Sequence, residues 1–198
     1  MSSCREIARR SCAEPKKNFR SLEQMVRSYI RDHRPIEQQE WDFFEKAPSF
    51  DIALENAALA KNQKGQRFSH QYRLTRANLK RAHETLKKHR PQIEEAESFD
   101  DVFKIVEGIV AEIPGLGELY TYDTALRISA ALQIKPEHVY LHAGTKVGAK
   151  RLGIDTKRVF IHRSDLPNDL QQLKPHEIES FLCIYKNQLG AVMRLRNL

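Results

Sequence analysis

The sequence predicts an all-α protein, and three observations support that fold class. Apolar residues recur at spacings of three and four along most of the chain, which is the period of a helix with one buried face. Ser and Thr residues stand directly before several of these apolar stretches, as helix N-caps do. The alternation typical of strands is almost absent, and only residues 158–162 (RVFIH) read as a short strand.

The sequence of the first half of the chain predicts a tail followed by four helices. Residues 1–18 lack apolar periodicity and are expected to form a flexible basic tail. Ser21 is the expected N-cap of the first helix, with Gln24 as its capping-box partner. A second helix is expected over residues 36–46 and a third from Ser49, and Thr75 is expected to cap a fourth that stops before Pro91.

The second half predicts four more helices. Ser98 is the expected cap of a helix whose acidic first turn suits the positive end of the helix dipole. Residues 119–132 form the next helix, and residues 147–152 form or begin another. Pro175 suits the first turn of a last helix, whose inward residues are expected to be Ile178, Phe181, Leu182, Tyr185 and Leu189.

The domain organisation is expected to be simple. Residues 19–95 form an N-terminal helical part with a basic run, and residues 96–198 form a second part that continues the same globular unit. We find no internal repeat of fixed period.

Composition excludes several classes of protein. No apolar run approaches the roughly 18 residues that a membrane span needs, and the polar N-terminal residues do not resemble a signal peptide. Cys4, Cys12 and Cys183 are too few for a disulfide framework or a paired zinc motif. These features predict a cytoplasmic protein that uses no membrane partner, metal or cofactor, and nucleoid association fits its charge.

The net charge of +7 is unevenly distributed. Residues 61–90 carry ten basic residues and one acidic residue, whereas residues 91–120 carry eight acidic residues and one basic residue. A basic surface attracts nucleic-acid phosphates because binding releases counterions. Alternatively, the basic residues of 61–90 form a solvated helix face, or they pair with the acidic residues of 91–120 inside the fold.

The most informative motif is the segment Ile113, Pro114, Gly115, Leu116 and Gly117 between two predicted helices. Pro114 stops the incoming helix, and the glycines permit a tight turn without side chains in the way. Backbone N–H groups then point outward at the start of the next helix and form a site for one phosphate. The competing interpretation is a plain interhelical turn anchored by Ile113 and Leu116.

This segment resembles the hairpin of the helix-hairpin-helix superfamily, and the likeness extends distantly to the DNA glycosylases of that superfamily. The resemblance covers about residues 99–153 and implies an all-α fold, DNA-backbone binding and a possible role in DNA repair. Bifunctional members carry a catalytic lysine just after the hairpin, where this chain has Leu119, or Asp123 if Thr124 and Ala125 are aligned. The catalytic aspartate expected about 20 residues after the hairpin is replaced by Glu137, which is either a functional substitute or a surface acid.

Asp123 and His142 are the other candidates for acid–base chemistry. Asp123 is four residues before Arg127 and can form an intrahelical ion pair with it. Alternatively, Asp123 faces a pocket with His142, because a carboxylate beside a histidine can move protons. If the protein is an enzyme, we therefore predict Asp123, Glu137 and His142 as its catalytic residues.

A second phosphate contact is predicted after His142. Gly144 and Thr145 suit a turn and an N-cap, and Lys146 and Lys150 lie on one helix face. The alternative is a tightly packed helix with solvated lysines, since Gly148 and Ala149 allow close approach of another backbone. The predicted nucleic-acid contacts are Arg67, Arg73, Arg76, Pro114, Gly115, Leu116, Gly117, Thr145, Lys146, Lys150 and Arg151.

The leading expectation is a DNA-binding protein with a helix-hairpin-helix clamp and, as a further option, glycosylase-like activity. RNA fits the charge as well as DNA does. The alternative from another class is a helical protein-interaction module, such as an adaptor or an antitoxin-like partner, that uses the acidic surface of residues 94–118.

Overall fold

The computed structural model describes residues 18–196, and the fold of this part is mostly helical. It contains ten α-helices and one two-stranded sheet, which confirms the predicted all-α class. The tail predicted over residues 1–18 lies outside the described residues except for Asn18. The helices are α1 Leu22–Asp32, α2 Arg34–Glu45, α3 Phe50–Ala58, α4 Arg76–Lys88, α5 Arg90–Glu94, α6 Phe99–Ala111, α7 Glu118–Ala131, α8 Ala143–Arg151, α9 Pro175–Ile184 and α10 Lys186–Arg196.

Four of the predicted N-caps are confirmed. The side chains of Ser21, Ser49, Thr75 and Ser98 each accept a hydrogen bond from the backbone N–H three residues later. Ser98 forms a complete capping box, because the Asp101 carboxylate accepts from the Ser98 backbone N–H at 3.1 Å. These hydrogen bonds lower the pKa of the Asp101 carboxyl, with the Ser98 side chain as the largest cause.

The described residues cluster into two compact units. The first, called unit 1 below, comprises residues 38–136, and the second, unit 2, comprises residues 18–37 and 137–196. The division therefore falls inside α2 and again between residues 136 and 137, and not near residue 95, where the charge of the sequence changes.

Unit 1 holds the predicted hairpin and the whole basic run of residues 61–90. Its helices α6 and α7 pack against each other, and α3 packs on both α7 and α4. The buried residues in this unit include Phe44, Leu54, Leu79, Leu86, Ile93, Phe99, Val102, Val106, Tyr122 and Ile128. Helix α3 packs on α7, and α4 and α5 pack on α6, so three helices contact the pair that presents the hairpin.

Unit 2 is built on α9, which packs against α8 and against strand β1, Val139–Tyr140. Strands β1 Val139–Tyr140 and β2 Phe160–Ile161 pair antiparallel, so the strand signal of residues 158–162 is confirmed in shortened form. All five inward residues predicted for the last helix are buried, but the helix breaks at Tyr185 into α9 and α10. The core also contains Leu22, Met25, Val26, Tyr29, Leu141, Ile161, Leu170 and Leu173.

Small residues set the spacing between α8 and α9. A methyl group at Gly148 would overlap the backbone of Leu182, and one at Gly144 would lie 2.6 Å from the Cys183 Sγ. The prediction that Gly148 allows close approach of another backbone is therefore confirmed, and Ala149 is buried. Helix α8 begins at Ala143 rather than at Val147, and His142 occupies its N-cap. The prediction that Thr145 is an N-cap is wrong, because Thr145 lies inside the helix and is buried.

Candidate nucleic-acid interface

The segment of residues 113–117 forms an exposed turn between α6 and α7. Gly115 has φ +89°, a conformation that favours glycine, and Gly117 is the N-cap of α7. Ile113 is buried beneath the turn, Leu116 is half-buried, and Pro114 and the two glycines are exposed. The turn is closed by a hydrogen bond from the Leu116 N–H to the Ile113 carbonyl at 3.2 Å.

The start of α7 has the features of an anion site. No side chain caps this helix, because its N-cap residue is Gly117. A Cβ atom at Gly117 would have nothing within 4 Å, so the backbone there faces open space. The partial positive charge of the helix N-terminus therefore lies at an accessible surface.

Asn78 connects this turn to the basic helix α4. Its side-chain amide donates to the Pro114 carbonyl at 2.7 Å, and the amide nitrogen lies 3.0 Å from where a Gly115 Cβ would stand. Asn78 is the third residue of α4, which Thr75 caps. The hairpin and the first turn of α4 are therefore held together as one surface within unit 1.

The basic run divides into solvated and internally paired side chains. Arg67 donates to the Leu74 carbonyl, Lys61 pairs with Glu55 at 2.8 Å, and Arg90 bonds both Glu94 and Asp51. The exposed members are Lys64, Arg73, Arg76, Lys80, Arg81, Lys87 and Lys88. Most of the positive charge on α4 is thus available to an external anion.

Acidic residues adjoin the same turn. Glu112 follows α6 and Glu118 is the first residue of α7, and both are exposed. Their charges oppose the approach of a phosphate, so the local field at the hairpin is mixed rather than strongly positive.

The loop of residues 67–74 lies between α3 and α4 and contains a short 3₁₀ turn, Ser69–Gln71. Tyr72 follows this turn and is 65% exposed. The Arg73 guanidinium lies 5.4 Å from the centre of the Tyr72 ring, and its Nε donates to the Tyr72 hydroxyl at 2.9 Å. Arg73 is thus exposed beside an exposed aromatic ring.

Asp123 is held by residues of this loop. Its Oδ2 lies 2.7 Å from the His70 Nε2 and accepts a hydrogen bond from the Gln71 Nε2 at 2.8 Å. The predicted ion pair with Arg127 is confirmed at 3.5 Å, and the Arg127 guanidinium also stacks 3.9 Å from the Phe68 ring. The Asp123 carboxylate is therefore contacted by an imidazole, a side-chain amide and a guanidinium.

Glu40 is the second carboxylate near this cluster, and sequence reasoning missed it. Burial raises the pKa of the Glu40 carboxyl, and the charge of Asp123 raises it further, while Arg127 and His70 oppose the shift. Burial and the nearby charge of Asp123 therefore both favour the protonated form of Glu40.

His142 belongs to a different cluster, in unit 2. It is buried against the Glu179 carboxylate, and the Thr145 hydroxyl donates to Glu179 at 2.8 Å and lies 3.1 Å from the His142 Nε2. Asp123 and His142 therefore have separate partners in separate units. Glu137 is exposed in the segment before β1.

The remaining predicted contacts also lie in unit 2. Lys146 is half-buried, and Lys150 and Arg151 are exposed. Arg151 donates to the Lys186 carbonyl and to the Asn187 side chain at 3.1 Å. The hairpin and Arg76 lie in unit 1, so the structure distributes the predicted nucleic-acid contacts over both units.

Asn78, Gln71, Glu40 and Glu179 all take part in these clusters without having been singled out from the sequence. Only Glu179 has a local signal, because it stands within the apolar run of α9 and an acid there needs a buried partner. The others are polar residues in polar segments, and their partners are distant in the sequence.

Comparisons with known proteins identify no relative. No protein-family model, curated protein or solved structure matches the chain at a significant level. Within residues 18–196, no group of three or more His, Cys, Asp and Glu side chains is placed to hold a metal ion. The helices of this described part are also too short or too polar to cross a membrane.

Proposed function

We propose that unit 1 binds the phosphate backbone of DNA through the turn of residues 113–117. The observation that carries this proposal is the uncapped, exposed start of α7 behind two glycines, which presents N–H groups and a helix dipole without a side chain in front. A backbone contact of this kind positions the protein on DNA without reading its sequence.

The basic residues of α4 support the same proposal. The hydrogen bond from Asn78 to Pro114 holds the first turn of α4 against the hairpin, and Arg76 is two residues before Asn78. Lys80 lies one turn further along the same helix face. These cations extend a phosphate track beyond a single contact, whereas Glu112 and Glu118 reduce the affinity. We therefore expect binding of modest strength that weakens steeply as salt is added.

The experiment that tests the proposal is fluorescence anisotropy on double-stranded DNA, single-stranded DNA and RNA across a salt series. The decisive variant is Gly117→Asp. The φ of −131° and the open space at Gly117 accept a side chain, and aspartate is a favoured N-cap, so the fold is retained. The aspartate carboxylate accepts hydrogen bonds from the N–H groups that would otherwise bind a phosphate. We therefore expect the affinity for DNA to fall about tenfold or more.

Gly108→Asp is the matched control. Gly108 is an exposed residue of α6 with nothing within 4 Å of an added Cβ, so the same change of residue and charge is made away from the turn. Equal loss of affinity in both variants, or no loss in Gly117→Asp, would refute the hairpin as the phosphate contact.

Base-excision chemistry is a separate proposal with its own test. The variants Asp123→Asn, Glu137→Gln and His142→Asn are assayed for removal of damaged or mismatched bases. Loss of excision in any of them supports an enzyme, and unchanged excision in all three ends that version of the proposal.

The interaction module is the competing function. The acids Glu94, Glu95, Glu107, Glu112 and Glu118 are each exposed, and an acidic segment of this kind suits a basic protein partner. Absence of nucleic-acid binding even at low salt would favour this function over DNA binding.

A further inference from the structure

Tyr72 is an aromatic side chain held open to solvent. With 65% of its surface accessible, it is the most exposed of the large hydrophobic residues in the described part of the chain. The Arg73 guanidinium lies 5.4 Å from the ring centre and its Nε donates to the hydroxyl, so a cation stands beside the ring. A ring this exposed contributes little to the buried core of unit 1.

The loop that carries Tyr72 is itself well anchored. The Phe68 N–H donates to the Ala60 carbonyl at 2.9 Å, the Leu74 N–H donates to the Gln71 carbonyl at 3.1 Å, and the Phe68 ring is buried. His70 and Gln71 both bond Asp123 of α7. The loop is therefore tied to the fold before the exposed ring, and after the ring the Leu74 N–H closes a turn within the loop before α4 begins.

The anchored ring lies close in sequence to the proposed phosphate contact. Residues 74 and 75 lead directly from Tyr72 into α4, and Asn78 in the first turn of α4 bonds the hairpin at Pro114. The other end of the loop is bonded to α7, the helix that the hairpin begins. The Tyr72 ring and the hairpin thus belong to segments of unit 1 that are joined by hydrogen bonds.

We propose that Tyr72 is a stacking platform for one unpaired base of DNA whose backbone is gripped at the hairpin. Stacking on an aromatic ring suits any unpaired base, since every base has a π face, and it is unavailable to a base inside an intact duplex. Arg73 contributes positive charge beside the ring. This inference rests on the proposed DNA binding and specifies its ligand class: DNA containing an unpaired nucleotide, rather than fully paired duplex.

The test compares three ligands of equal length by anisotropy at one salt concentration. They are a fully paired duplex, the same duplex with a one-nucleotide bulge, and the same bulge with an abasic nucleotide. We expect the wild-type protein to bind the base-containing bulge at least fivefold more tightly than either other ligand, which is the lower end of the effect of stacking one base.

Three substitutions at Tyr72 separate stacking from other effects. Tyr72→Leu removes the π face, and we expect it to abolish the preference for the bulge while leaving duplex affinity and the melting temperature unchanged. Tyr72→Phe keeps the ring and loses the bond to Arg73, and Tyr72→Trp enlarges the ring; both are expected to retain the preference. A 2-aminopurine placed in the bulge should lose fluorescence on binding to the wild-type protein and to Tyr72→Trp, but not to Tyr72→Leu.

The outcomes distinguish this inference from the proposed function. Duplex binding that is lost in Gly117→Asp, with no bulge preference or with one that survives Tyr72→Leu, overturns the stacking platform and leaves the phosphate clamp standing. Equal preference for the base-containing and abasic bulges also overturns it, because backbone flexibility would then be the cause. Absence of binding to all three ligands refutes the DNA-binding proposal itself.

Discussion

Replacing Gly148 by alanine should destabilise unit 2, although alanine is the better helix former. Within α8 the substitution gains about 1 kcal/mol of helix propensity. The added methyl group would stand 2.9 Å from the carbonyl carbon and 3.0 Å from the Cα of Leu182, which are backbone atoms of α9. Overpacking of this kind costs about 1–3 kcal/mol, and the upper end applies where backbone must move. The net expectation is a loss of about 2 kcal/mol.

Urea unfolding followed by far-ultraviolet circular dichroism measures this difference, provided that the m-value is unchanged. The control is Gly108→Ala in α6, where an added Cβ meets nothing within 4 Å and the propensity gain of about 1 kcal/mol should appear in full. If the units unfold in separate transitions, each variant should shift the transition of its own unit. A Gly148→Ala protein as stable as the wild type would refute the close packing of α8 on α9.

Three further predictions concern the hairpin and the buried polar groups. Gly115→Ala should cost about 1–2 kcal/mol in urea unfolding, since alanine is strained at φ +89°; equal stability would mean that the turn adopts another conformation. Thr145→Val should cost about 1–3 kcal/mol by removing a donor from the buried Glu179 carboxylate, and Thr145→Ser should restore most of it. Burial raises the pKa of Tyr120 from 10.0 to about 12, so the folded protein keeps a proton that the unfolded chain loses, and stability should fall between those pH values. Urea unfolding at each pH should show a smaller fall in the free energy of unfolding for Tyr120→Phe. An identical fall in both proteins would contradict the raised pKa of Tyr120.

Features encoded by adjacent residues could be predicted from the sequence. The caps at Ser21, Thr75 and Ser98 depend on a side chain and an N–H group three residues apart, and the turn at Gly115 depends on local glycine and proline. The ion pair of Asp123 with Arg127 is equally local. Each of these needs only the geometry of one helix or one turn.

Features encoded by distant residues could not be predicted. Thr145 has the residue type of an N-cap, but Glu179, which is 34 positions away, makes it a buried donor. Helix α5 has only five residues, too few to show a period, and its apolar content is a single buried Ile93. The break at Tyr185 is invisible to periodicity because the inward residues continue in register through it.

Asp123 combines a feature that the local sequence predicts with contacts to residues that are distant in the sequence. Its position after the hairpin makes it a candidate for chemistry, yet its carboxylate is bonded to His70 and Gln71 and paired with Arg127. These contacts anchor the loop that exposes Tyr72, so Asp123→Asn would loosen the proposed platform as well as remove a charge. Lost base excision in that variant would therefore not assign catalysis to Asp123 unless its preference for the base-containing bulge, measured on the same protein, were unchanged.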